Sequence, residues 1–94
     1  MTFEWDEEKN RLNREKHDGI SFEYAVRVFL DNKRIERYDA EHSSLTEDRW
    51  NAIGMVERVL FVVYTERGEN TRIISARRAT KDEEDEYYDG YEFR

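Results

Sequence analysis

Apolar residues recur along this chain with two different periods. Phe22, Ala25, Val26 and Phe29 fall at i, i+3, i+4 and i+7, the spacing of one buried helix face. Leu30 extends that face, Ser21 is placed to cap it, and Asp31-Asn32 stops it. An earlier stretch, from Glu7 to about His17, predicts a helix of another kind. Asp6 is a good N-cap, and Glu7 and Glu8 suit the positive end of the helix dipole. Leu12 is its main apolar residue, so this helix is expected on the surface. Asp18-Gly19 ends it, with Gly19 as the left-handed cap.

The period then drops to two. Arg34 to Asp39, Arg49 to Val56, Val59 to Arg67 and Thr71 to Arg78 read as strands. Leu60, Val62 and Tyr64 occupy one face of the third of these, and Phe61 and Val63 the other. A strand apolar on both faces is a central one, covered on both sides. Gly68-Glu69-Asn70 turns it into the last strand. Phe3 and Trp5, alternating with Glu4, carry the weakest signature, a short extra strand. Thr80 followed by Glu83 is a capping box, so a final helix starts there and ends near Gly90. The fold class is therefore α+β: two N-terminal helices, an antiparallel sheet of about four strands with a short N-terminal strand as an addition, and a C-terminal helix. The antiparallel assignment rests on connections too short for parallel crossovers.

Ninety-four residues fit a single domain spanning 1–94 with a modest core. Charged residues make up 41%, a share that alone suggests disorder, but 14% aromatic residues argue for a packed interior. There is no cysteine, so disulfides and thiolate metal sites are excluded. No apolar run approaches the ~20 residues of a membrane span, and no signal-peptide pattern opens the chain. A cytoplasmic protein without a membrane association is expected. The net charge of −7 argues against nucleic acid until it is mapped. Residues 82–94 hold seven acids and one base, whereas the remainder holds 15 bases and 16 acids. The body is near neutral and can carry a basic cleft. The acidic segment 82–94 also holds Tyr87, Tyr88, Tyr91 and Phe93, too aromatic for a plain tail.

Candidate chemistry concentrates on the last hairpin, where Glu66, Arg67, Arg72, Arg77 and Arg78 interrupt the apolar positions. Arginine stays charged and can grip a phosphate through two parallel hydrogen bonds. The bland alternative is a solvated sheet edge with charges paired across strands. Parity limits the sharp reading. In a regular strand Arg72 and Arg78 share a face and Arg77 lies opposite, so Arg72 and Arg77 converge only through a bulge or beyond the strand end. His17, at a helix C-terminus, is favoured as imidazolium and suits an acid or a phosphate contact. His42 reads as a loop residue.

Several segments together resemble a known family. They are Phe-Glu-Trp-Asp-Glu-Glu-Lys at 3–9, Asn13, Lys16-His17, Ile-Ser-Phe-Glu at 20–23, Asp39, His42-Ser43, Arg49, Val-Val-Tyr-Thr-Glu-Arg at 62–67 and Arg-Ile-Ile-Ser-Ala-Arg-Arg-Ala at 72–79. They look like the BrnT toxins of type II toxin–antitoxin systems, across about residues 3 to 88. One departure is that the usual Lys-His-Gly is here Lys16-His17-Asp18-Gly19, one residue longer. The resemblance implies a RelE-like fold and a metal-independent endoribonuclease that cleaves mRNA. It implies neutralisation by a BrnA-like ribbon-helix-helix antitoxin that binds the DNA, the toxin itself making no direct DNA contact. No cofactor or metal is expected. On this reading Arg72 and Arg77 stabilise phosphate and transition-state charge, Glu66 and His17 move protons, and Arg67, Arg78 and Lys16 contact RNA. The alternative is a catalytically weak module that mainly sequesters its DNA-binding partner.

Overall fold

A computed structural model describes residues 1–94. The elements in order are β1 (Thr2–Glu4), α1 (Glu7–Lys16), α2 (Phe22–Ala25) running into a 3-10 turn at Val26–Leu30, β2 (Ile35–Tyr38), β3 (Trp50–Val56), β4 (Arg58–Arg67), β5 (Asn70–Arg78), α3 (Lys81–Asp89) and a last 3-10 turn at Tyr91–Phe93. The five strands form one sheet in the order β1-β5-β4-β3-β2, so β4 is central, as its two apolar faces require. One face packs Ala52, Leu60, Val62, Ile73 and Ala76 against Ile20, Phe22, Ala25 and Val28; the opposite face packs Ile53, Val59, Phe61 and Val63 against Tyr87 of α3. The sheet is mostly antiparallel. The exception is β1, which pairs in parallel with β5. Short connections do not constrain that pair, because most of the chain lies between its two strands.

The predicted caps are present. Asp6 accepts from the Lys9 N–H, and Ser21 from the Tyr24 N–H. The Thr80–Glu83 capping box is complete in both directions. The turn after α1 places both Asp18 and Gly19 at positive φ, one residue more than the sequence suggests. Gly68 takes φ 60 at the first central position of the β4–β5 turn, where a type II′ turn requires glycine.

The second helix departs from its expected face. It tightens to three residues per turn after Ala25, so Phe22, Ala25 and Val28 at i, i+3 and i+6 become fully buried. Val26 and Phe29 are only partly buried, and Leu30 is 80% exposed. Val28 lies over Gly54 of β3, where a built Cβ would stand 2.8 Å from Val28 Cγ1.

Helix α1 departs more. Its apolar Leu12 is 37% exposed, while Asn10 and Asn13 are buried. Past Arg72, β1 no longer pairs with β5, which leaves that edge of β5 open. The Asn13 carboxamide fills it, donating to the Ala76 carbonyl (2.8 Å) and accepting from the Ala76 N–H (3.1 Å). It also donates to the Ile20 carbonyl. Asn10 accepts from the Phe22 N–H and donates to Glu23. A polar helix is thus held by its amides.

Helix α3 is fastened by Asp31. Its carboxylate accepts from the Tyr87 hydroxyl, the Met55 N–H (2.8 Å) and the Lys33 N–H (2.9 Å). Burial pushes this carboxyl up, and these hydrogen bonds more than offset that, so it lies below the usual carboxylate range.

Two outcomes follow for stability. Asn13→Ala leaves three buried backbone groups unpaired and is expected to cost about 3 kcal/mol in urea unfolding, whereas Leu12→Ala costs below about 1 kcal/mol. A cost for Asn13→Ala no larger than that for Leu12→Ala contradicts this account. For Asp31 the sign runs with a lowered folded pKa. Its stabilisation is present above the unfolded value of ~3.9 and lost as pH falls through the folded one. Asp31→Asn should therefore destabilise by about 2 kcal/mol at pH 7, and the gap to wild type should narrow by pH 3. A gap constant with pH would show that the ionised form is not what matters.

Candidate phosphate-binding site at the end of the last hairpin

Register decides which arginines share a face. Val63 pairs with Ser75 and Tyr64 with Ile73, leaving Ile74 without an opposite residue. This β-bulge inverts the parity of β5 beyond it. Arg72 pairs with Thr65 and Arg77 with Phe61, both on the face that α3 covers, while Arg78 turns to the α2 face opposite Leu60. Arg72 and Arg77 are therefore on one side of the sheet. They are still four β4 residues apart, about 13 Å at the usual rise.

Each has a carboxylate partner. Arg77 makes two parallel bonds to Glu83 (2.8 and 3.0 Å) and lies 4.2 Å above the Phe61 ring. Glu83 is also the N3 member of the capping box, so this pair ties the start of α3 to β5. Burial raises the Glu83 carboxyl, and Arg77 and Thr80 outweigh that and hold it below the usual range. Arg72 donates to Glu4 at 2.6 Å, and Asn70 donates to the other Glu4 oxygen. These two hydrogen bonds, with further attraction from Arg72 and Arg67, lower the Glu4 carboxyl.

Around the hairpin end the cations gather. Arg67 is one pair along from Arg72 on the same face, since Arg67 pairs with Asn70 and Thr65 with Arg72. Glu47 bridges Arg49 (2.8 Å) and Arg67 (3.8 Å). The Arg49 hydrogen bond, then the charges of Arg49, Arg67 and Lys9, lower its carboxyl. The same loop crosses β4 where Thr65 donates to the Asp48 carbonyl (2.6 Å). A cleft of about 440 Å³ opens here, lined by Thr46, Glu47, Asp48, Trp50, Thr65, Glu66 and Arg67. Arg49, Arg67, Arg72 and Lys9 thus surround two carboxylates, Glu4 and Glu47. Such a strip offers several cationic hydrogen-bond donors to successive phosphates.

The remaining predicted residues fall elsewhere. Glu66 is exposed on the opposite side of β4 from Arg67 and accepts weakly from Thr71. His17 caps α1 and, with Lys16, Lys9 and Asn13, lines a smaller cleft of about 190 Å³ against Ile74 and Ser75 of the bulge. Arg78 stands exposed on the far face. Lys9, Arg49, Glu4 and Glu47 were given no site role from the sequence. Their signal, charges at element ends, does not differ from that of a solvated surface. No three His, Cys, Asp or Glu side chains gather in a way that could hold a metal ion, and no helix is long and apolar enough to cross a membrane.

Residues 5–83 match the family model described as the ribonuclease toxin BrnT of type II toxin–antitoxin systems. The chain belongs to the BrnT family. The crystal structure of the Brucella abortus ribonuclease toxin BrnT is similar in fold, with a TM-score of 0.64 and 27% identity over 86% of this chain and 99% of that one. No curated protein matches this chain. Membership in the BrnT family makes an antitoxin the implied partner. It also accounts for the segments at 62–67 and 72–79, which form the two strands of the arginine hairpin.

Arg77 and Arg72 should separate in experiment. Arg77→Ala removes a bidentate pair and a cation–π contact and should cost about 1–2 kcal/mol of stability. Arg72→Ala, whose partner Glu4 sits at the sheet edge, should cost below about 1 kcal/mol. Equal losses in urea unfolding would put both arginines in the same structural role.

Proposed function

We propose that this chain is a metal-independent endoribonuclease that cleaves mRNA, and that a ribbon-helix-helix antitoxin neutralises it. The observation that carries this reading is the cationic strip at the hairpin end, built on a chain of a ribonuclease-toxin family. Cleavage without a metal needs side-chain cations where phosphorane charge develops. Arg72, Arg67 and Arg49 supply them from two sides of one loop–strand junction. Arg72 and Arg67 hold the scissile phosphate and the one beside it. Lys9 and Lys16, two turns apart along one side of α1, extend the phosphate track toward His17. Glu66 acts from the opposite rim of the cleft, and Arg78 contacts RNA from the far face. Arg77 serves through Glu83, by holding α3 against the sheet. The fold would act as the RelE-like ribonucleases do, with the sheet as the floor of the site.

One observation favours the second reading, a module that mainly sequesters its antitoxin. Both Arg72 and Arg77 are already engaged by carboxylates, and Leu30, Tyr88, Tyr91 and Phe93 are exposed at the α3 end. A basic antitoxin segment would meet acids there.

Induced expression with mRNA mapped by primer extension separates the two. Wild type is expected to produce new 5′ ends in mRNA and to arrest growth. The double variant Arg67→Ala/Arg72→Ala should lower cleavage at least ~100-fold while remaining folded at the assay temperature. Intact mRNA and normal growth with folded wild-type protein would leave only the sequestering role.

A further inference from the structure

The turn after β2 holds an aspartate–histidine pair, Asp39 and His42, to which neither the sequence nor the site above assigns a role. Asp39 is buried, and its carboxylate accepts from the backbone N–H of His42 (3.1 Å) and lies 2.8 Å from His42 Nδ1. Burial pushes the Asp39 carboxyl up, but the hydrogen bond from His42, with help from Asn51, holds it below the usual carboxylate range. It is therefore an ionised acceptor with no proton to offer. Nδ1 must carry the hydrogen, and the lone pair of the neutral ring is left on Nε2. The His42 side chain is 43% exposed, and Nδ1 is the ring nitrogen held by the buried carboxylate.

The turn itself is rigid. The Ser43 hydroxyl accepts from the Arg49 N–H (2.8 Å) and donates to the Asp39 carbonyl (2.7 Å), and the Asp39 N–H donates to the Arg49 carbonyl (2.8 Å). These bonds continue the β2–β3 register by one residue, which sets Asp39 opposite Arg49. Continuing β3–β4 in the same way sets Arg49 opposite Thr65, which pairs with Arg72. Asp39, Arg49, Thr65 and Arg72 thus form one row across the sheet on a single face. Three strand spacings separate its ends, about 14 Å between backbones. Arg72 reaches from the row to Glu4 of β1, so Arg49, which stands opposite Asp39, is the cation of the row on the His42 side. His17, the other histidine of the chain, has no carboxylate hydrogen-bonded to its ring.

We infer that His42 is the general base of RNA cleavage, with Asp39 as its positioning residue; this deepens the ribonuclease reading and rests on it. Nε2 takes the proton of a ribose 2′-hydroxyl while O2′ forms a bond to the adjacent phosphorus. The P–O5′ bond breaks, and the leaving 5′-oxygen takes a proton from water. The products are a 2′,3′-cyclic phosphate and a 5′-hydroxyl, and the imidazolium returns its proton to solvent. The rival explanation is that the pair only ties the turn.

His42→Asn separates the two, because its side-chain amide still offers Asp39 a donor where Nδ1 stood but has nothing in the place of Nε2. With purified full-length protein and an in vitro mRNA transcript, both His42→Asn and His42→Ala should slow cleavage about 100- to 1,000-fold. Melting temperature and binding to a 2′-deoxy version of the same strand should stay as in wild type. Added imidazole should restore part of the rate to His42→Ala and none to Arg72→Ala. Asp39→Asn should lower kcat more than it raises KM. Cleavage by His42→Asn within threefold of wild type would overturn the assignment and leave the ribonuclease reading standing. A folded wild-type protein that does not cut the transcript would overturn the ribonuclease reading, and this inference with it.

Discussion

The fold turns on one side-chain amide. β1 satisfies β5 only as far as Arg72, and from there the strand presents an open edge to a helix that has almost no apolar surface. A carboxamide carries one acceptor and a donor in nearly the geometry of a peptide group. Asn13 therefore stands in for a missing strand at Ala76 and simultaneously holds the Ile20 carbonyl. Asn10, one turn earlier, holds the first N–H of α2. Through these two residues β5, α1, the turn at 17–20 and α2 become one unit. Each bond alone contributes about 1 kcal/mol, but a buried group left without its partner costs about 1–3 kcal/mol. A fully satisfied polar network can therefore do here what an apolar stripe does in most helices.

The bulge at Ile74 sits two residues from that amide contact, and it divides the hairpin in two. Without it, Arg72 would face α2 and leave the face it shares with Arg67 and Arg49. With it, one end of the hairpin is closed, because Arg77, Glu83 and Phe61 clamp α3 there. The other end has no such clamp, and Glu4 and Glu47 there stay 30% and 27% exposed. Two arginines of the same strand on the same face thus meet different surroundings. The difference lies in distance along the strand and in which carboxylate each one meets.

Much of this was legible in the residues. The two-faced pattern of Leu60 to Tyr64 marks β4 as central, and Thr80-x-x-Glu83 gives the start of α3. Parity alone stated that Arg72 and Arg77 converge only through a bulge or beyond the strand end. What stayed hidden depends on partners remote in sequence. Asn13 reads as one more polar residue on a surface helix, because its partner Ala76 lies 63 positions away. The tightening of α2 after Ala25 follows from Val28 seating over Gly54, which no local period reveals. The parallel pairing of β1 follows from the whole chain returning to it. His42 reads as a loop residue because loop histidines are common. The faint signal was Asp39, an acid in step with Ile35 and Arg37 at the end of a strand, three residues before an imidazole.

For a protein of net charge −7 the proposed binding of RNA requires that its acids be occupied, and ion pairs occupy several of them. Glu83 and Glu86 are held by Arg77 and Arg37, and Lys81 holds Asp85, so part of the acidic helix is spent on the body and on itself. At the open end, Glu4 holds Arg72, and Glu47 holds Arg49 together with Arg67, which lines the cleft. On the proposed reading, an arriving phosphate would take one edge of a guanidinium whose other edge stays on its carboxylate, so the arginines would need little reorganisation to bind it. The local carboxylates also weaken long-range attraction for a polyanion. Affinity must then come from short-range, geometrically matched contacts. That suits an enzyme whose target has to be positioned for in-line attack more than it suits a non-specific RNA binder.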